Sequence, residues 1–158
     1  MTTKEYFSQT LTLNKRIKSK LDHLAVIREL VSKATATMSD MPPCESRDVH
    51  KMEEAICRMV DLEKEVDADV DRLVNLRLEQ VRIISEIEKP LYQLILEQRY
   101  LCCHSWGYIS EELEYDQRYL LRLNNEALAA AEELMQKRFS EMHIMTPNDT
   151  YAILNPRV

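Results

Sequence analysis

The chain has 158 residues, a formal net charge of −6, one glycine and five prolines, a size that holds one compact domain or a small domain carried on a helical extension. So few backbone breakers among abundant Leu, Glu, Arg, Lys, Ala and Met predict an all-α protein without sheet. The acidic balance opposes a chain that clings to nucleic acid through a basic surface, and no apolar run approaches a membrane span. The opening MTTKEYFSQT lacks a secretory pattern, so a soluble cytoplasmic protein with no membrane partner is expected.

From about residue 4 to 33, Leu13, Ile17, Leu21, Leu24, Ile27 and Val31 recur every three or four positions, the mark of one buried helix face. The Pro-Pro pair within ATATMSDMPPCESR makes 34–47 a connecting loop. Asp48 then caps a second helix running to about Lys89, with Met52, Ile56, Met59, Val66, Val70, Leu73, Ile84 and Ile87 near heptad spacing. Residues 1–89 therefore read as an antiparallel helical hairpin. KRIKSK at 15–20 on the first helix faces VDADVD at 66–71 on the second, so charge sets the pairing while the apolar seam holds it. Two readings of KRIKSK stay open, a solvated helix face and a nucleic-acid contact. Leu13, Ile17, Leu21, Leu24 and Ile27, with Met59, Val66 and Leu73, are the candidate residues for self-association or partner binding.

Pro90 breaks the chain, and residues 90–140 form the second unit. LYQLILEQRYLCCHS supplies a support helix that turns Leu91, Leu94, Ile95 and Leu101 toward the helices after it. WGYISEELEYDQRYLLRLNN, 106–125, has the pattern of a helix-turn-helix: Trp106, Ile109, Leu113, Tyr115, Leu120 and Leu123 at its inward positions and the small Ser110 where the helices cross. The second of these helices runs from Gln117 to about Arg138, since Ala, Leu and Glu dominate and no breaker intervenes. The tail, 141–158, is irregular, with Tyr151, Ile153 and Leu154 as apolar residues for docking and terminal disorder as the other reading.

On the outward face of that second helix, Gln117, Arg118, Leu121, Arg122 and Asn125 are the candidate DNA-binding residues. Arginine contacts phosphate or guanine, and Gln or Asn reads adenine in the major groove. Solvated arginines paired with Asp116 and Glu126 are the plain alternative.

Cys44, Cys57, Cys102 and Cys103 suit reduced packing thiols. Cys102, Cys103 and His104 are adjacent, so on a helix they diverge by about 100° per residue and cannot all face one ion; no metal site is expected. Without a glycine-rich phosphate loop, a Glu-x-x-His pair or an oriented base beside a cysteine, the chain reads as a non-enzyme without cofactor. Met52, Met59 and Met135 suit core or seam positions, with Met142 and Met145 as candidates for a soft binding surface.

The stretches KEYFSQTLTLNKRIKSKLDHLAVIRELVSKATATMSDMP and HKMEEAICRMVDLEKEVDADVDRLVNLR, then LEQRYLC, Trp106, Ile109 and YDQRYLLRLNNEAL, resemble phage and prophage transcriptional regulators of the ArpU kind, over most of Lys4 to Leu128. The C-terminal part of that family is similar to region 4 of sigma factors. The resemblance implies a phage protein made in the bacterial cytoplasm, acting on transcription, in some relatives on late genes, with its recognition helix on Gln117–Asn125. Promoter DNA, host RNA polymerase and a second copy of the chain are the partners it implies. The turn position often held by glycine is Glu114, and Leu121 stands where a polar reader is expected. The rival is a protein-interaction module whose acidic surface binds a host protein without touching bases.

Overall fold

The structure, a computed structural model, describes residues 1–38 and 46–144, with side chains described for 1–36 and 49–140. All its regular elements are helical: α1 (Thr3–Met38), α2 (Ser46–Ser85), α3 (Pro90–Leu96), α4 (Trp106–Leu113) and α5 (Gln117–Ile144). Both long helices extend past their expected ends at the connection. Ala34 to Thr37 continue α1, with Thr35 Oγ1 donating back to the Val31 and Ser32 carbonyls, and α2 starts at Ser46, so Asp48 lies inside its first turn and is not its cap. Most of the tail, 145–158, lies outside the described residues, and so do the Pro-Pro pair and Cys44.

The chain falls into two compact units, Gln9–Arg77 and Met1–Ser8 together with the chain from Leu78 onward. In Gln9–Arg77, Leu13, Ile17, Val66 and Leu73 form one buried cluster and Leu24 is buried as well. Ile27 and Met59 are half-buried. Leu21 departs from expectation at 49% exposure, as do Ile56 and Val70, which are also exposed. The reason is angular. At about 100° per residue, Leu13, Ile17 and Leu24 fall within about 40° of one another, Lys20 lies about 20° beyond Leu13 on one side, and Leu21 lies about 80° from Leu13 on the other.

Lys20 therefore borders the seam and is half-buried. Its ammonium donates to Asp69 Oδ2 at 2.7 Å and pairs with Glu65 at 3.0 Å, while Arg28 pairs with Glu63. Rising numbers on α1 meet falling numbers on α2, so these segments run in opposite directions. Of the basic cluster, Lys15, Arg16 and Lys18 remain exposed.

The other unit is built on Phe7, Ile84, Ile95, Leu96, Ile109 and Leu120, all essentially buried. Thr2 and Glu5 start α1 with a reciprocal cap: the Thr2 amide donates to Glu5 Oε2 at 2.7 Å and the Glu5 amide to Thr2 Oγ1 at 3.2 Å. Gln80 is fully buried and donates to the carbonyls of Tyr6 and Phe7 at 3.2 and 3.4 Å. α2 stops at Ser85, short of the expected Lys89. Gln93 Nε2 donates to the Ile87 carbonyl at 2.7 Å, satisfying the chain where the helix has ended, and Pro90 opens α3 at a position that needs no amide donor. The support segment is not one α-helix: after Leu96 it widens into a π-helical turn, Glu97–Leu101. Tyr92 ties α3 to α5, its hydroxyl donating to Glu126 Oε2 at 2.5 Å.

The Lys20 hydrogen bond holds the Asp69 carboxyl below its ordinary value of 3.8, and the Asp69 and Glu65 hydrogen bonds push Lys20 above 10.5. The Asp69 contribution to stability is thus complete above pH 3.8 and is lost as pH falls through the lowered folded value. The Lys20 contribution is complete below pH 10.5 and is lost as pH rises through the raised one. Thermal melts of Asp69→Asn should show a flatter acid limb than the parent, and Lys20→Met a flatter alkaline limb.

Candidate nucleic-acid interface

The loop before α4 is anchored at several points. Cys103 takes a left-handed backbone (φ 60°), the His104 amide donates to the Gln98 carbonyl at 3.0 Å, and Arg99 Nη1 donates to the His104 carbonyl at 2.7 Å. The same Arg99 guanidinium lies over the Trp106 ring, 5.1 Å from its centroid, so one residue fixes both the loop and the first side chain of α4. Ser105 caps α4 through Oγ, which accepts from the Tyr108 amide at 3.2 Å.

α4 ends at Leu113 because Glu114 turns left-handed (φ 56°, ψ 32°), a conformation that glycine adopts more readily. Ser110 does more than allow close approach: its hydroxyl donates to the Tyr115 carbonyl at 2.6 Å, tying the turn to the helix before it. The Leu120 amide donates to the Asp116 carbonyl at 3.0 Å and α5 is under way.

Ile109, Leu120 and Leu123 are buried, Trp106 and Leu113 half-buried, and Tyr115, expected inward, is 40% exposed. Tyr115 instead packs its ring on Tyr119, centroids 5.5 Å apart, because the turn carries it past the edge of the core. Gln117, Arg118, Leu121, Arg122 and Asn125 are all exposed, and Leu120, Leu123, Asn124 and Ala127 are all buried, so α5 separates the two sets. The exposed five do not act alike. Gln117 leans back on α4, with Nε2 3.6 Å from where a Gly107 Cβ would stand. Arg122 lies 5.0 Å from the Tyr119 ring centroid and 3.8 Å from Glu126.

Sequence reasoning passed over three contributors. Tyr119 is an exposed aromatic beside Arg122, and Tyr108 is an exposed aromatic on α4, its ring 4.2 Å from that of His104. Asn124 is buried and donates through Nδ2 to the Tyr100 hydroxyl at 3.4 Å, leaving Oδ1 without a partner. The spacing of buried positions on α5 places Asn124 inside; only its polarity argued otherwise. Glu111, Glu112, Glu114 and Asp116 are exposed close to Arg118 and Arg122 and give this surface mixed charge.

Cys102 is exposed, Cys103 half-buried, and His104 Nδ1 is engaged with Gln98 Oε1 at 2.5 Å. Among the described residues no group of three or more His, Cys, Asp or Glu side chains is placed to hold a metal ion, and no helix is long and apolar enough to cross a membrane.

Leu120→Ala removes a fully buried side chain and should cost about 2–5 kcal/mol in chemical unfolding. Glu114→Gly relieves a left-handed L-residue and should raise stability by about 0.5–1 kcal/mol in the same measurement. No family model matches this chain, and neither a curated protein nor a solved structure does.

Proposed function

We propose that the chain is a phage transcriptional regulator of the bacterial cytoplasm, a helical hairpin followed by a sigma-region-4-like helix-turn-helix, whose α5 contacts promoter DNA. The observation that carries this reading is the division of α5. Gln117, Arg118, Leu121, Arg122 and Asn125 are exposed directly after a left-handed turn, over a buried Ile109–Leu120–Leu123 base. A helix held this way presents its first turns to a groove, where Arg118 and Arg122, one turn apart, meet the same stretch of phosphates or guanines and Asn125 meets a base edge. Leu121, 45% exposed, offers apolar contact to a thymine methyl. The chain works as a pair in this reading, since two weak readers joined make one adequate site.

A second reading is favoured by the exposed carboxylates Glu111, Glu112, Glu114 and Asp116: the same unit binds host RNA polymerase, or another host protein with a basic surface, without reading bases.

A salt series on promoter fragments separates the two. DNA binding should weaken steeply as salt rises through counterion release, whereas a protein-only binder gives no DNA shift even at low salt. Arg118→Ala with Arg122→Ala should lower promoter affinity and make the salt slope shallower by up to about two units. The fold should survive, since both side chains are exposed. Full promoter affinity in the folded double variant would hand the lead to the polymerase reading.

A further inference from the structure

The seam residues expected to drive self-association are largely used within the chain: Leu13, Ile17, Val66 and Leu73 close on one another. Another surface is open. Within Gln9–Arg77, from His23 onward on α1 and up to Glu65 on α2, the two helices leave a groove of about 910 Å³. Ile27, Leu30 and Val31 line it from α1, and Met52, Ala55 and Leu62 from α2, with Leu30 62% exposed. Two helices bury one seam between them; an apolar groove of this kind is closed when two such pairs face each other as four helices.

We propose that this groove docks against the same groove of a second copy, the two α2 helices running antiparallel about Arg58. The charges along α2 specify that occupant. Lys51, Ala55, Arg58, Leu62 and Glu65 recur at alternating spacings of four and three on the groove face, with Lys51 one heptad before Arg58 and Glu65 one heptad after it. Reversing the helix about Arg58 therefore sets each Lys51 across from the Glu65 of the other copy. The two guanidiniums that approach at the two-fold axis do so already bonded, since Arg58 pairs with Glu54 at 2.6 Å and Asp61 lines the same groove. The two attractive pairs outnumber the one like-charged approach at the axis, Glu65 staying 62% exposed while it pairs with its own Lys20, and a two-fold interface asks for this kind of self-match. Apolar closure supplies the affinity, and the charges select partner and direction. The inference deepens the regulator reading by naming how its two α5 helices are joined, but its test needs no DNA.

Sedimentation of the full chain should report two chains per particle. Lys51→Glu and Glu65→Lys each place like charges across the axis and should each weaken association by roughly tenfold or more. Mixed in equal amounts, the two variants should pair again, because unlike charges then face each other at both positions. Circular dichroism should stay that of the parent, since both side chains are exposed and Lys20 keeps Asp69 when Glu65 is changed. Leu30→Glu should also give single chains. A parent that sediments as one chain, variants that remain paired, or a mixture that does not recover overturns the proposal. Promoter binding on the same samples keeps the two ideas apart: a parent that pairs but does not bind DNA sinks the regulator reading alone, and a parent that binds DNA as a single chain sinks this one alone.

Discussion

The chain contains one glycine, Gly107, and spends it inside α4, where its φ is ordinary. Every sharp reversal around the candidate site must therefore be made by a residue with a side chain. Cys103 before α4 and Glu114 after it both take the left-handed backbone, at a cost on the order of 1 kcal/mol each. Neighbouring interactions offset that cost: the Arg99 bond to the His104 carbonyl on one side and the Ser110 bond to the Tyr115 carbonyl on the other. With both ends of an eight-residue helix fixed, the start of α5 and the direction of its exposed face are fixed too.

Periodicity made most of the helical content legible. Helix existence, the break at Pro90, the buried Ile109, Leu120 and Leu123, and the exposed face of α5 all follow from where apolar residues recur. The misreadings share a cause. Leu21 is of one kind with Leu24, but its angle puts it outside; the pairing of KRIKSK with VDADVD, by contrast, is met where the half-buried Lys20 bonds Asp69. Gln80 is the same lesson: it continues the seven-residue spacing of Met59, Val66 and Leu73 and is buried, yet a polar side chain does not look like core. Its amide is tolerated because the Tyr6 and Phe7 carbonyls receive it.

Other features were not legible because they depend on contacts far apart in sequence. Nothing local says that Met1–Ser8 belongs with the chain after Leu78, or that Phe7 meets the Tyr100 ring at 5.5 Å. The π-helical turn is likewise invisible to a pattern built on 3.6 residues per turn, since Glu97–Leu101 contains neither proline nor glycine. The mixed charge of the α5 surface was readable as composition, but the stacking of Arg122 on Tyr119, and of Tyr119 on Tyr115, emerges only once the turn is formed.

Asn124 has a consequence for how uniquely the C-terminal helices fit together. It is buried with its amide on the Tyr100 hydroxyl, at a place where a leucine would give adhesion alone. Adhesion of that kind is indifferent to slippage: a smooth aliphatic face packs nearly as well one turn up or down. A lone buried amide is not indifferent, because any shifted alignment strands both the amide and the phenol in a dry interior. A shift of α5 by one turn would therefore break the bond between Asn124 and Tyr100, a cost that favours the alignment in which it forms.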